Sequence, residues 1–318
     1  MRLGYHHGSF RERDDDRPLF DTLRERAQRL DAAGFSILTA MDHFWQLSSK
    51  GYPDEPFLDC YATLTAVAAV TDAIELSALV TCPHYRNPGY LARIVASLDA
   101  ISGGRAVFGI GSGWYEDEYE AIGVPFPEPS TRNRQMRDVI RLCRTAWTEP
   151  SPVTYDGTDY GLDGLYLDPK PEDIPVMIGG AGEQLTLRAV AEYADRWNVG
   201  PLAPDALAAK LEIIDEYAAT YDRSVSDVRV TMMQDVVLRP DHEAAHAAYE
   251  TLLTDTASGP TPRAQGRGMV GTPAEMIEWL ASYRDVRLDT LLVRVPLNDR
   301  RTIELLIDEV LPYLPTDA

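Results

Sequence analysis

The run AVFGIGSGW, Ala106 to Trp114, sets an apolar β-type stretch directly against three closely spaced glycines. A glycine turn after a strand marks either a dinucleotide fingerprint or the rim of another α/β fold, and the residues beyond it decide which. The fingerprint needs a third glycine three positions after the second. Here that position is Trp114, and the next glycine past Gly113 is Gly123. The segment that follows, YEDEYEAIGVPFPEPS, offers no clean helix and no second strand ending in an acid about 20 residues on. GIGSGW therefore reads as the loop after a barrel strand, where missing side chains let a flat ligand or a phosphate approach the backbone.

Outward from this loop, β-type and helix-type segments alternate along the whole chain. Strands are expected at Arg2 to Tyr5, Ser36 to Ala40, Ile74 to Thr81, Ala106 to Ile110, Val176 to Ile178, Arg196 to Val199, Val228 to Gln234 and Thr290 to Val295. Amphipathic helices separate them; the first places Leu19, Leu23, Ala27 and Leu30 on one stripe, and Gly34 closes it as a C-terminal cap. Eight βα units in one domain favour a closed (β/α)8 TIM barrel over an open doubly wound sheet. At 318 residues the chain fits one such domain. Three segments break the alternation and are expected as insertions at the carboxyl face: about 116–131, 150–175 and 254–271. Within the second, VTYDGTDYGLDGLYL reads as a hairpin turning near Asp156-Gly157.

Composition narrows the function. Hydrophobic residues are 45% and charged residues 25%, a globular balance with material for a large core. No apolar run reaches the length of a membrane span, and the amino terminus turns acidic where a signal peptide needs its apolar segment. A cytoplasmic protein with no membrane partner is expected. Cys60, Cys82 and Cys143 are widely spaced and form no CxxC pair, so neither a disulfide framework nor a metal site is indicated. Fifty acidic against 30 basic residues give a formal charge of −20, which repels phosphate backbones and argues against nucleic acid as a partner.

Several residues carry candidate chemistry. Asp42-His43 ends the second strand at the face where barrel enzymes build their sites; the histidine can polarise a substrate or exchange protons, or the two can be a hydrogen-bonded strand end. Of His6 and His7, adjacent on a strand, one alone can look into the barrel, and His7 takes the structural role. Gly179-Gly180-Ala181-Gly182 precedes a helix, a turn that either cradles an anion at the dipole's positive end or needs glycine for its dihedrals. Phe44, Trp45 and Trp114 either line an apolar pocket or pack at the barrel mouth. Cys82, in LVTCPHYRNP at 79–88, has no partner for metal or redox work, and no serine elbow is present.

In their order, DHFW at 42–45, LVTCPHYRNP at 79–88, LDAISGGRAVFGIGSGWYEDEYEAIG at 98–123, PVMIGGAGEQ at 175–184 and ADRWNVG at 194–200 resemble the luciferase-like monooxygenase superfamily, in its branch dependent on the deazaflavin coenzyme F420. The resemblance covers residues 1–235 by sequence and the rest by architecture. It implies a hydride-transferring oxidoreductase with a small-molecule substrate, the alternatives being an FMN-dependent monooxygenase or a flavin-binding barrel without turnover. It also implies that Asp42 and His43 contact the ring and the reacting centre, and that a cis peptide at Leu79-Val80, before Thr81, supports the ring. Gly111-Ser112-Gly113 and Gly179 to Gly182 would hold the ribityl chain and phosphate, with His6, Phe44 and Trp114 toward the substrate. A homodimer is implied as well.

Two departures stand out. Sugar-phosphate dehydrogenases of the family carry an acid where this chain has Trp114, so a sugar phosphate is not the expected substrate. Many relatives have glycine where this chain has Arg196, which reads as a surface change. The charge adds one expectation that needs no family. Just three of the 30 basic residues, Lys50, Lys170 and Lys210, are lysine, and so acidic a surface is relieved of self-repulsion when salt screens it. The melting temperature should therefore rise between low and molar potassium chloride; a flat or falling curve removes the case for a high-salt cytoplasm.

Overall fold

The computed structural model describes residues 1–10, 17–252 and 268–314. Strands β1 (Arg2–His7), β2 (Ile37–Ala40), β3 (Glu75–Ala78) and β4 (Ala106–Ile110) alternate with helices α1 (Asp21–Ala33), α2 (Cys60–Ala68) and α3 (Pro88–Ser102). Helices α4 (Glu116–Ala121) and α5 (Pro129–Thr148) and a hairpin, β5 (Val153–Asp156) with β6 (Gly161–Leu165), come next. Then follow β7 (Val176–Gly179), α6 (Thr186–Tyr193), β8 (Arg196–Val199), α7 (Pro204–Ala218), β9 (Arg229–Leu238) and α8 (His242–Leu252). The chain continues through β10 (Gly268–Gly271), α9 (Pro273–Ala281), β11 (Leu288–Arg294) and α10 (Arg300–Leu305).

Strands pair in the order β11-β1-β2-β3-β4-β7-β8, and β9 joins both β8 and β11, so eight parallel strands close a barrel. These are the eight strands expected. β5 and β6 pair antiparallel outside the barrel, with the Gly157 amide bonded to the Tyr160 carbonyl at the turn. Buried Asp138 on α5 holds that hairpin, accepting from the Tyr155 hydroxyl and from the amides of Asp159 and Tyr160.

Two insertion boundaries need correction. Residues 116–131 are not irregular throughout. Three acids in the first turn of α4 sit at its positive end, and Pro129 pre-sets the first turn of α5, so the irregular part shrinks to the residues between those helices. In the expected loop 254–271, the last four residues form β10, which extends the sheet in parallel beside β9; 254–267 lie outside the described residues. No helix among the described residues is long and apolar enough to cross a membrane.

Side chains alternate between the barrel's inside and its helix-covered outside. Inside, Ile37, Val107, Met177 and Leu292 form one apolar layer, flanked by Leu79 and Met233. Gly4 belongs to that layer because a Cβ there would lie 2.6 Å from Leu292 and 2.7 Å from Ile37. Outside, Leu38, Phe108, Ile178, Trp197 and Leu291 meet the helices in the main core, each such burial stabilising by about 1.5–3 kcal/mol.

Toward the amino ends of the strands the interior turns ionic. Arg196 is not a surface change: it is buried on β8 and gives both terminal nitrogens, at 2.6 Å each, to the carboxylate of Glu75 on β3. Arg2 reaches Asp289 at 2.6 Å nearby. A bidentate fork seals the barrel floor where a glycine would leave Glu75 unpaired. Removing one member of a buried pair costs about 3–5 kcal/mol; Glu75 keeps 29% side-chain exposure, so Arg196→Met should cost about 2 kcal/mol in urea unfolding once solvent screening is allowed for. The double variant Glu75→Leu/Arg196→Met should recover most of that. Equal losses in both would show that the arginine contributes packing and not pairing.

Candidate functional site

At the carboxyl rim, the glycines of GIGSGW meet the chain's own atoms. A Cβ on Gly109 would sit 1.9 Å from the Ala78 carbonyl oxygen, so β3 and β4 approach closely because residue 109 has none. Val80 occupies the space that side chains at Gly111 and Gly179 would need, its methyls 2.6 and 2.8 Å from where their Cβ atoms would lie. Gly113 has φ of 76°, and a Cβ there would meet the Tyr119 hydroxyl at 1.9 Å. These glycines thus serve packing between the strands, and what the loop offers outward is its backbone and Ser112. The Leu79-Val80 peptide bond is cis, at the position the resemblance implies.

Past the cis bond, Thr81 bridges to Ile110 and its hydroxyl bonds the Tyr61 hydroxyl at 2.7 Å. The next amide, Cys82, donates to Asp42 at 3.0 Å. Asp42 also receives both terminal nitrogens of Arg86 at 2.8 Å, and Arg86 lies over the Tyr61 ring while reaching Asp59 at 3.0 Å. Both oxygens of Asp42 are therefore engaged by protein. Its carboxylate ties the end of β2 to the turn after β3, which makes it a positioning group.

His43, the next residue, is held differently. Its Nδ1 lies 2.8 Å from Glu118 on α4, a carboxylate with no solvent exposure. Glu118 also accepts from the Tyr85 hydroxyl at 2.6 Å and the Phe44 amide at 2.7 Å. Burial alone would raise the Glu118 pKa, but the His43 hydrogen bond and charge, the Tyr85 hydroxyl and the Phe44 amide outweigh it and hold the carboxyl below its usual range. An ionised carboxylate only accepts, so the proton on this contact belongs to His43 Nδ1. When the ring is neutral the lone pair is therefore on Nε2, which has no hydrogen-bond partner among the described residues.

Aromatic rings wall the mouth beside His43. Trp114 stacks on Tyr115 at 5.1 Å, stands 6.0 Å from the His43 ring and is 63% exposed; Phe44 packs on Tyr85 at 4.9 Å and is 47% exposed. Tyr119 bonds His84 at 2.7 Å and Cys82 at 3.1 Å, and burial pushes the Cys82 thiol up to about 11, so it stays protonated and inert.

His6 and His7 part as strand alternation requires. His6 faces the barrel interior, Nδ1 at 2.9 Å from Thr39; burial, then the Arg294 charge, hold its pKa well below the usual value. His7 faces outward, edge-on to Phe10 at 4.3 Å, and burial, then Arg26, lower its pKa to about 3.

Ser112, Ala181 and Gly182 share a cleft of about 460 Å³ with Asn133 of α5 and the amino end of α6. Gly180 anchors the turn, its amide on Asn198 and its carbonyl receiving the Trp197 indole at 2.7 Å. Asn133 is buried, yet its Nδ2 donates to nothing. An orphaned donor beside a serine and a glycine turn at a helix amino end fits an anionic or polyhydroxyl group of a cofactor. Among the described residues, no three His, Cys, Asp or Glu side chains group as a metal site.

Glu118, Tyr85, Arg86 and Asn133 escaped the sequence reading. Glu118 lay in a stretch taken for an acidic insertion. The available signal was the run of acids from Glu116 to Glu118, a composition that suits the first turn of a helix.

Comparison with known proteins agrees with the fold. The profile of luciferase-like monooxygenases matches residues 1–290. An uncharacterized protein of Mycobacterium tuberculosis is 35% identical over 154 residues, 47% of this chain, and that match spans about half, 53%, of the relative's length. An F420-dependent glucose-6-phosphate dehydrogenase of Amycolatopsis mediterranei is 26% identical over 92% of this chain and 94% of its own. An FMNH2-dependent dimethylsulfone monooxygenase of Pseudomonas fluorescens is 24% identical over 92% and 87%. Among solved structures, an F420-dependent secondary alcohol dehydrogenase superposes with a TM-score of 0.80 at 20% identity, over 99% of this chain and 98% of that one. This chain belongs to the luciferase-like monooxygenase family.

Proposed function

We propose that the protein is an oxidoreductase that moves a hydride between coenzyme F420 and a small organic substrate, with His43 handling the proton or charge on the substrate atom that reacts. The observation that carries this reading is the His43–Glu118 contact at an aromatic-walled barrel mouth. Its arrangement defines one tautomer, one aimed ring and one open nitrogen. Nε2 can take a proton from a hydroxyl being oxidised, or return one to an oxygen being reduced. Glu118 stabilises the cation that forms when it does so. Tyr85 and the Phe44 amide keep the carboxylate from rotating away.

Bound F420 would supply the two-electron hydride chemistry that no side chain here can supply. The residues that would hold it are the Leu79 to Thr81 turn, the backbone from Gly111 to Gly113 and from Gly179 to Gly182, Ser112, and Asn133 with its unused donor. F420 is preferred to FMN on the resemblance of the motifs at 42–45, 79–88, 98–123 and 175–184 to the F420-dependent branch, relatives of both cofactor classes covering most of the chain. Asp42 enters as a positioning residue.

Titration with F420 and with FMN should show saturable binding of F420. Binding of FMN alone would move the reading to the monooxygenases. On a panel of alcohols followed by F420 absorbance, His43→Ala should lower kcat by about 100-fold or more while leaving F420 affinity unchanged; equal loss of both refutes the catalytic role. Glu118→Gln keeps an acceptor but removes the charge, so a smaller fall, about tenfold, is expected in kcat, together with a shift in the pH–rate profile that a purely structural residue would not produce.

A further inference from the structure

The mouth of the barrel has a second side, away from the wall built by Val80, Gly111 and Gly179, and it holds an arginine with unspent donors. On β11, Leu292 belongs to the interior apolar layer, so Arg294, two residues on, points the same way and one layer nearer the rim. Strand register sets it beside Asp235 of β9. On its other side lies β1, where His6 rises above Gly4. A Cβ on Gly8 would come within 3.2 Å of the Arg294 stem and 3.8 Å of the His6 ring, so the arginine lies across the end of β1 with its stem against a bare backbone.

What distinguishes Arg294 is how little of it the protein uses. Arg26 gives its two terminal nitrogens to the hydroxyl of Tyr5 and the carbonyls of residues 295–299; Arg86 gives both to Asp42, Arg105 to oxygens of residues 68–74, and Arg196 to Glu75. Arg294 is as withdrawn as these, with 13% side-chain exposure, and it spends only Nε, on Asp235. Nη1 and Nη2 have no partner among the described residues, and Asp235 fixes the plane in which they point. The pair is not electrostatically silent. Burial first, and then the charge of Arg294, hold the His6 pKa well below its usual value. In a chain of net charge −20, the fork's terminal nitrogens are a pre-oriented pair of cationic donors at the mouth of the site.

We infer that Arg294 is a substrate-binding residue: the β9–β11–β1 side of the mouth receives an oxyanion of the substrate, which its two terminal nitrogens bind side by side. A planar guanidinium with a free edge matches the two oxygens of a carboxylate, sulfonate or phosphate. The exposed Trp114 on the β4 side adds a flat apolar surface, so the substrate class is an anion carried on an aromatic or otherwise apolar body. This assignment rests on the proposed redox reading only for the statement that the molecule bound is the substrate.

The test uses probes that differ in one group: benzoate, phenyl phosphate and benzyl alcohol, titrated by calorimetry at matched ionic strength into protein already saturated with F420, so that the Ser112–Asn133 cleft is filled. Benzoate or phenyl phosphate should bind and benzyl alcohol should bind far more weakly; which anion is favoured separates a carboxylate from a phosphate substrate. In Arg294→Gln the anion should lose about tenfold or more in affinity, and the F420 titration should be unchanged. Arg294→Lys keeps the charge without the fork, and should lose about fivefold; it serves if the glutamine variant does not fold. Anion affinity unchanged in either folded variant, or benzyl alcohol binding as well as benzoate, overturns the assignment. If the wild type fails to bind F420, the redox reading falls instead, and the same anion titration on the cofactor-free protein still decides the role of Arg294.

Discussion

The contact on which the rest of the site depends is the seating of Val80 against two positions without side chains, Gly111 and Gly179. It brings the ends of β3, β4 and β7 within touching distance at the carboxyl rim. From there the constraint runs along the chain in short steps. Thr81 is locked by its bridge to Ile110 and its bond to Tyr61, the Cys82 amide is delivered to Asp42, and Asp42 with Arg86 fixes the end of β2. His43 emerges from that fixed end, and Glu118 sets the rotation of its ring. A side chain at 111 or 179 would act on His43 through this series of contacts without touching it, because packed cores transmit displacement.

The barrel was legible from periodicity because each βα unit announces itself locally: an apolar run, a glycine, an amphipathic stripe. Asp42 and His43 were legible for the same reason, since a strand end in a barrel has a known face. Their roles were not. Asp42 and Arg86 are 44 positions apart and His43 and Glu118 75 apart, and only the folded chain shows that one acid is consumed by an arginine while the other orients a histidine. Arg196 misled for a related reason. A charged residue in a short strand reads as exposed until its partner, 121 positions away on β3, is known to face it across the barrel. The acidic stretch after Trp114 hid α4, because six residues give too little periodicity to separate a helical turn from a loop.

Charge in this chain follows a pattern that length and composition only suggest. Nearly all its cations are arginine, and the buried ones act as planar cross-links. Arg105 draws four carbonyl oxygens between the ends of α2 and α3 and the start of β3. Arg26 does the same for the segment after β11. Five donors in a rigid fork let one side chain satisfy several carbonyls that a lysine could not reach together. The acidic excess is thus mainly a property of the outside, while the inside is neutralised pair by pair.

That accounting separates the two ends of the barrel. At the amino rim Arg196 and Arg2 are paired with Glu75 and Asp289, and these pairs serve stability. Toward the carboxyl rim, Nε2 of His43, the terminal nitrogens of Arg294 and Nδ2 of Asn133 are among the polar atoms that have no partner among the described residues. Buried or half-buried polar atoms are otherwise paired in folded proteins, since leaving one unmade costs about 1–3 kcal/mol. At His43 and Arg294 the ring and the guanidinium are oriented by Glu118 and Asp235, so the unmade bonds there leave aimed donors and acceptors for something that is not protein. In the proposed reaction the Ser112–Asn133 cleft would take the cofactor and the mouth between His43 and Arg294 the substrate.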